Sequence, residues 1–99
     1  MWWATHRTIA EDNSVSNALE ELRQNHPRFD DQWDGLVWLL ARRPDLDAAR
    51  SAKLDSKTVW LYHAEGDVES GLLDIAVVYT FDENTVFIHG VKTFQVTPD

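Results

Sequence analysis

Past the first dozen residues, the apolar residues of this chain change their spacing once, and no other feature restricts the fold as much. In the first half they recur every three to four positions, as Val15, Ala18, Leu19 and Leu22 and then as Phe29, Trp33, Leu36, Val37 and Leu40. This is the spacing of helices that bury one stripe. From Thr58 onward they recur every second position, with Val59 and Leu61 against Trp60 and Tyr62, then Ile75, Val77, Tyr79 and Phe81, then Val86 and Ile88 against Phe87 and His89. A helix-period pattern does not settle as a strand, nor the reverse. Helices segregated from strands imply an α+β fold in which a helical layer covers one face of a mainly antiparallel sheet.

Local signals place the elements. Trp2 to Ile9, rich in aromatic and β-branched residues and ending at the polar Glu11-Asp12-Asn13-Ser14, reads as an N-terminal strand. Helices are expected near residues 14 to 25, behind Asn13 or Ser14 as cap, and near 28 to 43, the two joined at Pro27 in a helical hairpin. Asp45 to Ser56 reads as a polar connection with one helical turn through Leu46 and Ala49. Strands are expected near 58 to 63, 73 to 81 and 85 to 95, forming a three-stranded antiparallel meander and the order β-α-α-β-β-β. The link Phe81 to Thr85 suits a tight hairpin with Asn84 at positive φ, and the acidic stretch Ala64 to Gly71 suits an exposed, mobile loop. Leu19, Leu22, Trp33, Val37, Leu40, Val77 and Ile88 should share one core. No repeat or linker divides residues 1 to 99, so a single domain is expected.

Charge is uneven. The chain carries −8 overall; residues 1 to 57 hold eight basic and ten acidic residues, and beyond Lys57 only Lys92 stands against seven acids. Such a field repels phosphate backbones, so nucleic-acid binding should be weak and should rest on Arg42, Arg43, Arg50, Lys53 and Lys57. Cysteine is absent, no apolar run approaches membrane-spanning length, and the N-terminus lacks the basic and then long apolar regions of a signal peptide. A cytoplasmic protein with no membrane contact is expected.

Taken together, Pro27-Arg28-Phe29-Asp30-Asp31-Gln32-Trp33, Thr58-Val59-Trp60-Leu61-Tyr62 and the run from Ile75 to Val91 resemble the second helix, second strand and last two strands of the RelE/ParE toxin superfamily of bacterial toxin-antitoxin modules. The resemblance covers most of the chain and implies a toxin that cleaves messenger RNA on the ribosome or poisons gyrase, with an antitoxin as partner. RNA cleavage needs a group to deprotonate the 2′-hydroxyl and a cation to neutralise the phosphate. Where cleaving members place an arginine before the third strand, this chain has Gly71-Leu72-Leu73-Asp74. His63, His89, Tyr62, Tyr79 and Lys92 are the titratable groups of the sheet half that remain, and His89 with Lys92 is the pair offered as base and electrophile. The alternative is a non-enzymatic acidic binding protein, such as a phage anti-defence protein that mimics nucleic acid.

Other constellations carry less. Pro44-Asp45 with Asp55-Ser56-Lys57 imitates a magnesium-nuclease pattern, but a turn role fits these residues better. His6, His26, His63 and His89 lack metal-ligand spacing, and four scattered glycines form no phosphate loop, so no metal or cofactor is expected. Of five tryptophans, Trp33 and Trp60 read as core, while adjacent Trp2 and Trp3 cannot both point inward, and one of them suits a protein interface.

Overall fold

In the computed structural model, residues 7–67 and 69–94 are described. Trp2 to His6, Val68 and the residues from Gln95 onward, on which parts of the first and last expected strands, the Trp2–Trp3 reading and His6 fall, lie outside the described residues. The elements run β1 (Thr8–Glu11), α1 (Asn13–Asn25), α2 (Phe29–Arg42), β2 (Arg50–Leu54), β3 (Lys57–Ala64), β4 (Asp74–Phe81) and β5 (Thr85–Phe94). Among the described residues the fold is α+β: two helices and one mixed five-stranded sheet in the order β1-β5-β4-β3-β2. β1 runs parallel to β5, and all other pairs are antiparallel.

Helix α1 is capped by Asp12, not by Asn13 or Ser14. Its carboxylate accepts from the Val15 backbone N–H at 2.9 Å, satisfying a donor that the first turn leaves without a helical partner. Helix α2 carries Asp30 and Asp31 in its first turn and Arg42 in its last, as the helix dipole favours. The apolar stripes of both helices, Val15 and Leu19 with Phe29, Trp33, Leu36 and Leu40, meet Ile75, Val77 and Tyr79 of β4 and Val86 and Ile88 of β5. All seven expected core residues belong to this cluster, with Leu22 and Val37 at its margin. Tyr79 is fully buried and donates its hydroxyl to the Pro44 carbonyl, which ties β4 to the end of α2.

Three expectations fail. The stretch from Asp45 to Ser56 is not a plain connection: Arg50–Leu54 forms β2, so the sheet has five strands and the antiparallel part is a four-stranded meander rather than a three-stranded one. Every residue of β2 is exposed, so the strand has no apolar alternation to betray it. Asp55 and Ser56 take φ of 50° and 70° in the two-residue turn between paired Leu54 and Lys57, the positive-φ geometry that matches strand twist in a tight hairpin. Asn84 is not at positive φ. The β4–β5 turn is instead closed by the Asp82 side chain, which accepts from the backbone N–H groups of Asn84 and Thr85 at 2.8 Å each.

The connection between β3 and β4 is exposed at Glu65, Asp67 and Glu69 to Gly71 but is tied down at several points. Asp67 and Leu72 pair across it. Arg28 donates to the Ser70 carbonyl, and the Gln32 amide exchanges two hydrogen bonds with the Leu73 backbone.

Candidate functional site: the open face of the sheet

Strand register fixes which side chains share a face. Trp60, Tyr62 and Ala64 stand opposite Tyr79, Val77 and Ile75 and therefore point toward the helices. The alternate residues, Val59, Leu61 and His63 of β3 with Ala76, Val78 and Thr80 of β4, point the other way. Arg50, Ala52 and Leu54 of β2 pair with Leu61, Val59 and Lys57 and extend the same face. Both helices lie on the opposite side. Leu54, Leu61, Phe87 and Phe94, four of the five exposed large hydrophobic residues among those described, stand on this open face, and Trp38 on α2 is the fifth.

A β-bulge decides what β5 contributes. Tyr79 pairs with Ile88 and Val78 with Gly90, so His89 is an extra residue in the ladder. One inserted residue reverses the alternation beyond it. Before the bulge, Val86 and Ile88 face the core; after it, Val91 does, and Lys92 and Phe94 emerge on the open face together with Phe87 and His89. Without the bulge Lys92 would point into the helical layer.

The expected pair His89 and Lys92 thus shares a face but not a contact cluster. They are three residues apart along β5, roughly 10 Å at strand rise. His89 is exposed, and its Nε2 is hydrogen-bonded with the Thr80 hydroxyl at 2.8 Å. Lys92 belongs to a different group. His63 stands opposite Ala76, Ala76 opposite Lys92, and Asp74 opposite Phe94. His63 Nε2 lies 3.4 Å from Asp74 Oδ2, while Asp74 Oδ1 accepts the Gly66 N–H at 2.5 Å. The Phe94 ring stands edge-on to the His63 imidazole at 6.5 Å between centroids, and Lys92 Nζ is 5.5 Å from its centre.

The cations expected to bind nucleic acid are divided. Arg50 and Lys57 stand on the open face with Lys92, whereas Lys53 points to the helix side of the exposed edge strand. Arg42 stacks on the exposed Trp38 ring at 4.1 Å and donates to its carbonyl, and Arg43 caps α2, both away from the open face. Asp45 and Asp55 lie in turns rather than on adjoining strands, which removes the metal-nuclease arrangement. Among the described residues no three carboxylates or imidazoles converge as metal ligands. No described helix is long and apolar enough to cross a membrane. Asp74 and Phe94 were not legible as site residues, because their neighbours are set by cross-strand register; the phase break from Ile88 to Val91 was the one available sign that β5 turns Lys92 outward.

Comparison with protein-family models, with curated proteins and with solved structures finds no match for this chain.

Proposed function

We propose that this chain is a toxin of the RelE/ParE type that acts on messenger RNA through the open face of its sheet. One observation carries the reading. In a chain of net charge −8, the face left bare by the helices gathers Arg50, Lys57 and Lys92 with His63 and His89 beside exposed aromatic rings. Cations to neutralise phosphate, imidazoles to move protons and rings to stack bases are what an RNA-directed surface requires. Five further acids, Glu20, Glu21, Asp30, Asp31 and Asp34, are exposed on the helical layer, while Asp74 shares the open face with these cations. An antitoxin would neutralise such a toxin by covering the same apolar and cationic face, whose exposed Leu54 and Leu61 suit a protein partner.

Induction in bacteria tests the reading. The expected result is growth arrest with ribosome-dependent fragmentation of messenger RNA, both lost in an Arg50→Ala, Lys57→Ala, His89→Ala variant that unfolds at the wild-type midpoint. Growth arrest with intact messenger RNA and impaired DNA supercoiling would transfer the target to gyrase. Absence of any growth defect would remove the toxin reading and favour an acidic binding protein working through the helical layer.

A further inference from the structure

We infer that this chain forms a two-fold dimer in which β2 pairs antiparallel with β2 of a second copy about Ala52, joining the two sheets edge to edge. Three features of this edge converge on a second copy as its occupant. The first is access. β2 ends the sheet and has a neighbour only on its β3 side, and every one of its residues is exposed. Helix α1 lies against β5, and α2 against β1 and β5, toward the opposite edge. Among the described residues, the outer row of β2 backbone N–H and C=O groups therefore stands open to another strand.

The second feature is hydrogen-bond phase. Asp55 and Ser56 form a two-residue turn, so Leu54 and Lys57 flank it as a hydrogen-bonded pair. Bonded and non-bonded pairs alternate along an antiparallel ladder, so Arg50, Ala52 and Leu54 turn their N–H and C=O groups toward β3. Ser51 and Lys53 turn theirs outward. Pairing about Ala52 sets Ser51 opposite Lys53 of the second copy, and Lys53 opposite its Ser51, so all four outward groups of each strand find partners. An axis between Ser51 and Ala52 would set outward groups against inward ones and lose these bonds. An axis at Lys53 would set two ammonium groups directly opposite, and one at Ser51 would pair only Arg50 to Ala52 within the strands.

The third feature is side-chain fit in that one register. Ala52 meets Ala52 on the axis, where opposed non-hydrogen-bonded residues approach to about 4.5 Å between Cα atoms. A methyl group suits so close a pair. Arg50 comes opposite Leu54 of the second copy, so no like charges are directly opposed. Leu54 is 60 % exposed and borders an apolar hollow of about 320 Å³ with Val59, Leu61 and Val78. The aliphatic stem of the second copy's Arg50 covers Leu54 while its guanidinium reaches water. Lys53 stands on the other face, diagonal to its equivalent at about 7–8 Å, which permits the pairing and keeps it weak. Five paired residues make a small interface beside the about 1,200 Å² of stable complexes, so the dimer is reversible. The two-fold axis uses up both β2 edges, so association stops at two copies.

The test exploits the chain's lack of cysteine. Ala52→Cys places two thiols face to face on the axis, at about 4.5 Å between Cα atoms and within the about 4.4–6.8 Å that disulfides span, whereas Ser51→Cys leaves them about 7–8 Å apart. In a glutathione redox buffer, Ala52→Cys should cross-link to a dimer on a non-reducing gel while Ser51→Cys stays largely monomeric. Sedimentation of the wild-type chain should show an average mass that rises from 11.4 kDa toward twice that value as concentration increases from about 10 μM to about 1 mM. Ser51→Pro should abolish the rise, because the N–H it removes is one that faces outward and the β2–β3 hairpin keeps its own bonds. Circular dichroism and the thermal midpoint check that each variant is folded; should Ser51→Pro fail to fold, the two cysteine variants decide alone. The dimer is overturned if the wild-type chain stays at 11.4 kDa over that range, if folded Ser51→Pro associates like wild type, or if Ser51→Cys cross-links as readily as Ala52→Cys.

Discussion

The two faces of the sheet are built from the same strands and obey different rules. On the helix side, Ile75, Val77, Tyr79 and Val86 are wholly buried, whereas their neighbours on the other side, Ala76, Val78 and Thr80, are half-buried and Phe87 is exposed. The covered face specifies the fold; the bare face is free to carry charge, imidazoles and exposed rings. Phe29 and Phe87 make the sharpest contrast, because the same deletion is made on each side. Phe29→Ala should cost about 3–5 kcal/mol, a large part of the ~5–15 kcal/mol that holds a domain of this size. Phe87→Ala should stay within about 1 kcal/mol, since little cavity can form at an exposed site. Urea unfolding of both variants measures the difference. Equal losses would mean that something covers the open face in solution.

A smaller effect separates the faces by pH. Burial, followed by the nearby charges of Asp45 and Tyr62, pushes the Tyr79 hydroxyl up to about 12 from an ordinary value of 10.0. The folded state therefore holds this proton more tightly than the unfolded chain does. Its contribution is complete below pH 10 and disappears as pH rises from 10 to 12, amounting to roughly 3 kcal/mol at about 1.4 kcal/mol per unit. Wild type should lose stability steeply over that window. Tyr79→Phe should be less stable at neutral pH, because the Pro44 carbonyl loses its donor, but flatter in alkali. An equally steep alkaline loss in Tyr79→Phe would assign the effect to other groups.

The same asymmetry explains what the sequence disclosed. The covered face was legible because burial imposes period: Val15 to Leu40 and Ile75 to Ile88 can satisfy one apolar layer in one way. β2 escaped because an edge strand exposed at every residue has no period to read, although Asp55-Ser56 between two extended pairs was a usable turn signal. The residues of the open face were visible one by one, His63, His89 and Lys92 among them, but not their grouping. Grouping depends on register: a single extra residue at His89 brings Lys92 onto the face that carries this imidazole, while about 10 Å of strand keeps the two apart.

Gly66 links the loop to the open face and gives an intermediate effect. A Cβ there would meet the backbone of Leu72 and Leu73, which cannot yield as a flexible side chain could. Gly66→Ala should therefore displace the start of the β3–β4 connection, at a cost of about 1–3 kcal/mol. Because the Gly66 N–H holds Asp74 and Asp74 faces His63, the His63 ring resonances should shift in the NMR spectrum while those of His89, bonded to Thr80, should not. Wild-type stability with an unmoved His63 signal would show that the loop does not position this cluster.

The smallest expected effect comes from two exposed carboxylates that close turns at the sheet margins. The Val15 backbone N–H and then the Ser14 hydroxyl hold Asp12 below its usual carboxyl range, and the backbone N–H groups of Asn84 and then Thr85 do the same for Asp82. A carboxyl group whose folded pKa is depressed stabilises the fold above its unfolded pKa and loses that contribution as pH falls through the folded value. Both groups should therefore add to the loss of stability below about pH 4, near the ordinary aspartate range. Asp12 serves the helical layer alone, by starting α1, whereas Asp82 serves both faces by closing the β4–β5 hairpin from which Phe87 and His89 emerge. Asp12→Asn keeps a side-chain acceptor at the cap and should flatten the acid limb slightly while leaving neutral-pH stability nearly intact. Asp82→Ala should flatten the limb and also lower stability at neutral pH, since two backbone donors lose their partner. Thermal midpoints between pH 2 and 7 measure both, and an unchanged acid limb in the double variant would place the acid sensitivity elsewhere.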